Sequence, residues 1–320
     1  MPDQLGPALA KPLFDTIGLI GLGLIGSSLA RGIKRMNLAR RITAMDADQS
    51  VCERVTALAL ADHVTTDAAE GVKGCDLVIL CVPVGACGPL AKIIGPHLQP
   101  DAIISDVGSV KSAVVKAVQP HLSDRVHFIP AHPVAGTEYS GPDAGFSTLF
   151  LNRWCILTPL PEADDTKSQL LQTFWEQLGA NVEVMTPERH DLVLAVTSHL
   201  PHLIAYNIVG TAADLETVTQ SEVIKFSAGG FRDFTRIAAS DPTMWRDVFL
   251  NNKQAVLEML GRFTEDLALL QRAIRWGDGD TLFKTFTRTR AIRRSIIDLG
   301  QETAAPDFGR RNPDDEKTGQ

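Results

Sequence analysis

The chain is 320 residues long, 44% hydrophobic and 22% charged, with 38 acidic against 31 basic residues and a formal charge of -7. That length corresponds to about two domains, enough to bury cores without disulfide staples. The acidic balance opposes a polyanionic backbone, so nucleic acid is excluded as the expected partner, while a small anion in a local cationic pocket is not.

In chain order, residues 1–13 read as a loose arm. Asp3 and the early prolines break any signal-peptide run. From 14 to 186, short β-rich apolar runs alternate with helical stretches. The strand candidates are Thr16–Ile20, Ile42–Asp46, Leu77–Val82, Ile103–Asp106, His127–Ala131, Trp154–Thr158 and Val182–Met185. Alternation of this kind predicts βαβ units and one mostly parallel, doubly wound α/β sheet. The apolar stretch Leu77 to Ala91 is interrupted by Pro83, Gly85, Gly88 and Pro89 and is unsuited to a bilayer. The cysteines at 52, 75, 81, 87 and 155 include no CxxC pair, which points to reduced, buried thiols rather than zinc or a disulfide framework. A soluble, cytoplasmic chain with no membrane segment is expected.

After Pro187 the strand pattern stops. His190–Thr211 is apolar nearly all round, predicting a helix buried on more than one side. Trp245, Phe249, Asn252, Val256, Met259, Phe263, Leu267, Leu270 and Ile274 recur at steps of three and four, predicting one helix of roughly 45 Å. A helix that long outreaches a small domain, so residues 187–300 are read as an all-α dimerisation and substrate domain of a homodimer. Residues 301–320 are polar and read as a disordered tail.

The chemistry begins at Gly21-Leu22-Gly23-Leu24-Ile25-Gly26, set between the first strand and a helical run. GxGxxG alone is weak, but in this context the first glycine makes the turn, the second admits a pyrophosphate and the third lets helix pack on strand. Asp46 ends the second strand, twenty residues past Gly26. Its carboxylate suits the adenine ribose hydroxyls and repels a 2′-phosphate, so NAD is expected over NADP in a Rossmann domain spanning 14–186. Val82 and Pro83, closing the next strand candidate, are also expected against the cofactor.

Ligands bind outside the carboxyl ends of such strands. Asp106-Val-Gly-Ser109-Val-Lys111 follows one strand, and His132-Pro-Val-Ala-Gly-Thr137-Glu138 ends the next. His132, locked before a proline, is a general-base candidate, with Ser109 placed to hold its ring or a substrate hydroxyl. Ser198-His199-Leu-Pro201-His202 sets two histidines on one helix face. Metal would need further ligands, and only His190 is near in sequence, so no metal is expected. Gly229-Gly230-Phe231-Arg232-Asp233-Phe234-Thr235-Arg236 carries arginines able to clamp a carboxylate. Lys284, Arg288, Arg290, Arg293 and Arg294 read as a solvated helix face.

GLGLIGSSLA, DVGSVK, HPVAGTEYSG, SHLPH and GGFRDFTRIAASDPTMW occur here in one order. By them the chain resembles the prephenate/arogenate dehydrogenases of tyrosine biosynthesis, from about 14 to 300. The resemblance implies NAD-dependent oxidative decarboxylation of a cyclohexadienol. In that reaction a base takes the C4 hydroxyl proton as the C4 hydride leaves, and aromatisation expels the para carboxylate as CO2. It implies His132 as base, with Ser109 orienting it, Arg236 gripping the ring carboxylate and His202 touching the substrate. Thr137, Glu138, Asp233 and Ser198 are further implied substrate contacts, Glu138 and Asp233 at the entrance and Asp233 reaching in from a partner subunit. Prephenate is the expected substrate, with arogenate accepted as well. The alternatives are an arogenate-specific enzyme and, from another class, a non-catalytic NAD-binding sensor.

Overall fold

The computed structural model describes residues 5–137, 139–219 and 229–298. The chain divides into two compact units, residues 1–255 and 256–320. In the first unit the strands are β1 (Phe14–Ile20), β2 (Ala39–Met45), β3 (His63–Thr65), β4 (Leu77–Leu80), β5 (Ile103–Asp106), β6 (His127–Phe128), β7 (Ala131–Pro133), β8 (Trp154–Leu157) and β9 (Asn181–Val184). Its helices are α1 (Leu24–Met36), α2 (Gln49–Ala57), α3 (Ala68–Gly71), α4 (Val84–Ile94), α5 (Ser112–Val118), α6 (Asp165–Gln177), α7 (Pro187–Leu194), α8 (Leu200–Thr219), α9 (Gly229–Thr235) and α10 (Pro242–Asn251). Two more follow, α11 (Lys253–Trp276) and α12 (Gly279–Asp298).

Six strands form an all-parallel sheet in the order β3-β2-β1-β4-β5-β6. The order reverses between β1 and β4, and the crevice at their carboxyl ends is where such folds receive ligands. Both faces are covered, as a parallel sheet requires. On one face Leu29, Ile33, Leu171, Phe174 and Trp175 close a core in which Phe150 meets Trp175 edge-on at 5.3 Å. On the other, Cys87, Ala91, Ile94, Val114 and Val118 pack with Trp245 and Val248 of α10. The chain is thus a doubly wound Rossmann-type sheet followed by helices.

Several expectations need correction. The seven strand candidates do not share one sheet. His127–Ala131 splits after Phe128: Ile129 still donates to the Ile104 carbonyl at 3.0 Å, but Pro130 has no N–H with which to continue the ladder. The chain then crosses to a separate three-stranded sheet, β7-β8-β9, with β7 antiparallel to β8. β3 was not anticipated, being only three residues without a buried run. The arm is not loose where described: Leu9 and Leu13 donate to the Met36 and Leu38 carbonyls at 3.0 Å, and Leu5, Leu9 and Leu13 pack on the core.

The helical stretch beginning at Pro187 holds a π turn, Ala195–His199, between α7 and α8. Within the single chain it is not buried on several sides, since Leu192, Val193, Val196, Ile208 and Val209 are exposed. Pro187–Leu215, rather than 77–91, is the one described helical stretch long and apolar enough to cross a membrane. Its inward side instead holds His190, Asp191 and His199 against other parts of this chain.

The predicted 45 Å helix is two helices. Asn252 leaves helical geometry at φ -107° and ψ 30°. Its buried Nδ2 donates to the Asp191 carbonyl at 2.8 Å and faces His199 Nδ1 at 3.1 Å. The longer piece, α11, has 24 residues, or about 36 Å. In residues 256–298, Leu257, Leu267, Leu269, Ile274, Trp276, Phe283, Phe286 and Ile292 are exposed. Lys284, Arg288, Arg290, Arg293 and Arg294 are exposed too. The predicted tail lies outside the described residues.

Candidate active site

At the crevice, Gly21 has φ +92°, and a Cβ there would lie 2.5 Å from the Cys81 carbonyl oxygen. A Cβ on Gly26 would stand 2.0 Å from the Gly21 oxygen, so only glycine lets α1 pack this tightly on the turn. Gly23, by contrast, has open space at its Cβ position, and as N-cap of α1 it offers no side-chain cap to the first N–H groups of the helix. That combination suits a pyrophosphate. Asp46 is pinned beside the loop: one oxygen accepts the Leu22 N–H at 2.8 Å and the other accepts the Asp48 N–H at 3.1 Å. Val82 borders Gly21, and exposed Pro83 caps α4. Leu24 and Ile25 are half-buried at the start of α1. The cradle fits NAD.

Beside it lies a buried polar chain built from segments far apart in sequence. Lys111 is fully buried, ion-paired with Asp106 at the end of β5, and donates to the Ala131 carbonyl at 2.6 Å. Asp106 also accepts from the Gly108 and Ala131 N–H groups, at 2.8 and 3.3 Å. The Lys111 N–H donates to Asp191 Oδ1 at 2.7 Å, and the Ser112 N–H to Asp191 Oδ2 at 2.9 Å. Asp191 Oδ1 meets His190 Nδ1 at 2.9 Å, and His190 Nε2 meets His132 Nδ1 at 2.8 Å. Nδ1 of His132 is therefore held by His190, which leaves Nε2 as its other ring nitrogen.

Burial holds His132 well below the ordinary histidine range, reinforced by electrostatic coupling to the neighbouring His190, to the Lys111 ammonium and to His199. Burial also lowers His190, against the opposing pull of Asp191. Burial alone would raise Asp191, but hydrogen bonds from His190, Lys111 and Ser112 outweigh it and leave the carboxyl below its usual value. His199 is pushed down to about 4, chiefly by burial and then by His190. At neutral pH the three imidazoles are neutral and Asp191 is ionised.

The network continues outward. The Ser109 backbone lies against His199 and favours its protonated form. His202 stacks on Trp245 with ring centroids 3.6 Å apart, and its Nδ1 donates to the Ser198 carbonyl at 2.8 Å. Burial lowers the His202 pKa, and the positive charge of Arg236 lowers it further. Tyr206 ties α8 to the turn after Arg236 by donating to the Ser240 carbonyl at 2.7 Å. The structure thus brings the Ser109 backbone to His199 and places the Arg236 charge within electrostatic reach of His202. Thr137, whose hydroxyl accepts the Tyr139 N–H at 3.3 Å, and exposed Asp233 make no hydrogen bond to His132 among the described residues. Glu138 lies outside the described residues. No group of three or more His, Cys, Asp or Glu capable of holding a metal occurs among them.

Sequence reasoning missed Asp191 and the partnership of His190, Lys111, Asn252 and Trp245 with the site. One signal was available: an His-Asp pair inside an apolar helix must be partnered if it is buried.

A Rossmann crevice beside a histidine- and arginine-bearing helical wall defines an NAD-dependent oxidoreductase. Residues 29–184 match the nucleotide-binding domain of prephenate dehydrogenase and residues 186–288 match its dimerization domain. The chain belongs to the prephenate dehydrogenase family. It is 43% identical to the cyclohexadienyl dehydrogenase of Zymomonas mobilis subsp. mobilis, over 89% of this chain and 97% of the relative. It is 35% identical to the prephenate dehydrogenase of Bacillus subtilis, over 92% of this chain and 79% of the relative. The crystal structure of prephenate dehydrogenase from Aquifex aeolicus, in complex with hydroxyphenyl propionate and NAD+, superposes with a TM-score of 0.82 at 34% identity. That match covers 88% of this chain and 98% of the other.

Proposed function

We propose that this chain catalyses the NAD-dependent oxidative decarboxylation of prephenate to 4-hydroxyphenylpyruvate in tyrosine biosynthesis, and also converts arogenate to tyrosine. The observation that carries the reading is a buried, neutral His132, hydrogen-bonded to His190 in a fold whose glycine turn fits NAD, with His202 within electrostatic reach of Arg236. Bound NAD supplies the hydride acceptor. His132 Nε2 takes the proton of the C4 hydroxyl as C4 gains carbonyl character, and Ser109 orients that hydroxyl. Arg236 holds the ring carboxylate until the vinylogous β-keto acid loses CO2. His202 contacts the substrate from the helical wall, Ser198 and Thr137 are further contacts, and Glu138 and Asp233 line its entrance. Gly21–Gly26, Asp46, Val82 and Pro83 hold the dinucleotide.

In this reading residues 14–186 serve the cofactor, and residues 187–300 serve the substrate and a homodimer in the cytoplasm. The exposed apolar side chains of α11 and α12 support the dimer, because a patch of that kind is normally covered. The test is NADH formation from NAD with prephenate and with arogenate in parallel. Prephenate turnover at least equal to arogenate turnover upholds the reading. Arogenate alone keeps the base and clamp but moves the error to the side-chain pocket. No NADH from either, with NAD still bound, overturns it.

A further inference from the structure

Resting on His132 as the base, the polar chain behind it has a direction that the hydrogen bonds determine. Ionised Asp191 can only accept, so His190 must carry its proton on Nδ1, 2.9 Å away. Neutral His190 then presents a lone pair at Nε2, and the 2.8 Å contact to His132 Nδ1 requires that nitrogen to be the donor. The lone pair of His132 is left on Nε2, the nitrogen facing away from His190.

We propose that Asp191 and His190 are positioning residues that lock His132 in its Nδ1–H tautomer and stabilise the imidazolium formed when Nε2 takes the substrate proton. Neither residue touches the substrate. The balance is simple: the hydroxyl proton ends on His132 Nε2, the Nδ1–H stays directed at His190, and the negative charge of Asp191 faces the new positive charge through one imidazole. The carboxylate is itself fixed, since it also accepts the backbone N–H groups of Lys111 and Ser112. The other charged or titratable groups around the pair are Lys111 and Asp106, which neutralise each other, and neutral His199. Asp191 is therefore the net negative charge in the cluster. Both residues are buried, and their partners lie 58 and 80 residues away along the chain.

Two measurements on the full-length protein test this. The first is the side-chain nitrogen NMR spectrum of histidine-15N-labelled wild type, which reads tautomers without turnover. His132, assigned with His132→Gln, is expected to be protonated at Nδ1 and bare at Nε2. A proton on Nε2 overturns the proposal. The second compares Asp191→Asn and His190→Gln by steady-state kinetics. Asp191→Asn removes the charge whichever way its amide turns. It should lower kcat by about tenfold to 10⁴-fold, the range from one lost charge-assisted hydrogen bond to a reversed tautomer, with KM little changed. His190→Gln still offers an oxygen to Nδ1–H, so it should lose less. Both variants should bind NADH like wild type, which separates positioning from misfolding. Near-wild-type kcat in both, alongside an inactive His132→Gln, overturns the proposal and spares the base. An active His132→Gln sinks the base assignment, while the NMR result still reads the tautomer on its own.

Discussion

Lys111→Met is the perturbation on which the buried network makes its sharpest demand. Methionine fills the space but leaves Asp106, also fully buried, without its cation. Breaking a buried pair from one side costs about 3–5 kcal/mol. Here the lower end applies, because Asp106 keeps the Gly108 and Ala131 N–H groups as donors. The Ala131 carbonyl loses its 2.6 Å donor, which adds about 1 kcal/mol. A loss of about 4 kcal/mol, at about 2–4 °C per kcal/mol for a chain of this class, lowers Tm by about 8–16 °C. A second readout comes from His132, which the Lys111 charge helps to hold down. Without that charge the imidazolium is easier to form, so its pKa rises. The base must be unprotonated to act, and so the acid limb of the kcat/KM profile moves to higher pH. Scanning calorimetry and a pH series with prephenate check both. A Tm within about 2 °C of wild type, or an acid limb that stays put or moves down, refutes the reasoning.

Other perturbations follow from the same geometry. His132→Asn should cost about 10²–10⁴-fold in kcat with KM little changed; normal turnover across pH would remove it as the base. Arg236→Gln should mainly raise KM for prephenate, by about tenfold to 150-fold for one charge-assisted contact of about 1.5–3 kcal/mol, and an unchanged KM would place the carboxylate clamp elsewhere. Gly26→Ala forces a Cβ to 2.0 Å from the Gly21 oxygen and should abolish NADH binding in a fluorescence titration, whereas Gly23→Ala, with open space, should fold normally. Stability should fall in mild acid. His199 drops from the ordinary histidine value of 6.5 to about 4 on folding, so between those values the unfolded chain binds the extra proton. Falling pH then removes about 3 kcal/mol through that window, with His132 and His190 acting in the same direction. His199→Asn should flatten the Tm profile there, and an unflattened profile would count against a buried neutral imidazole.

What was legible in the sequence was local. The strand, the glycine turn, α1 and Asp46 lie within one short βαβ unit, where each residue's reason is its immediate neighbour. His132 could be read because a strand end and a following proline mark its place. His190 and Asp191 could not, because their partners come from 58 and 80 residues upstream and no periodicity reports such a distance. The split between β6 and β7 was hidden by an apolar run that continues through Ile129 and Pro130 while the hydrogen-bonding partner changes. The break at Asn252 was hidden for a related reason: a one-residue departure barely shifts the spacing of Trp245, Phe249 and Val256. Asn252 fits the pattern as a polar exception, but its amide is turned onto Asp191 and His199.

Lys111 joins three segments at once, reaching Asp106 and Ala131 with its amine and Asp191 with its backbone N–H. This bears on how members of the family can be recombined. The two family models meet between residues 184 and 186, an inviting seam for exchanging halves between homologues. A crossover there would graft a foreign segment against Lys111 and His132, and the chimera would inherit its base from one parent and the support for that base from the other. A seam placed after Asn252 keeps the whole buried chain of one parentage, so libraries cut at that point should retain active members that libraries cut at 185 lose.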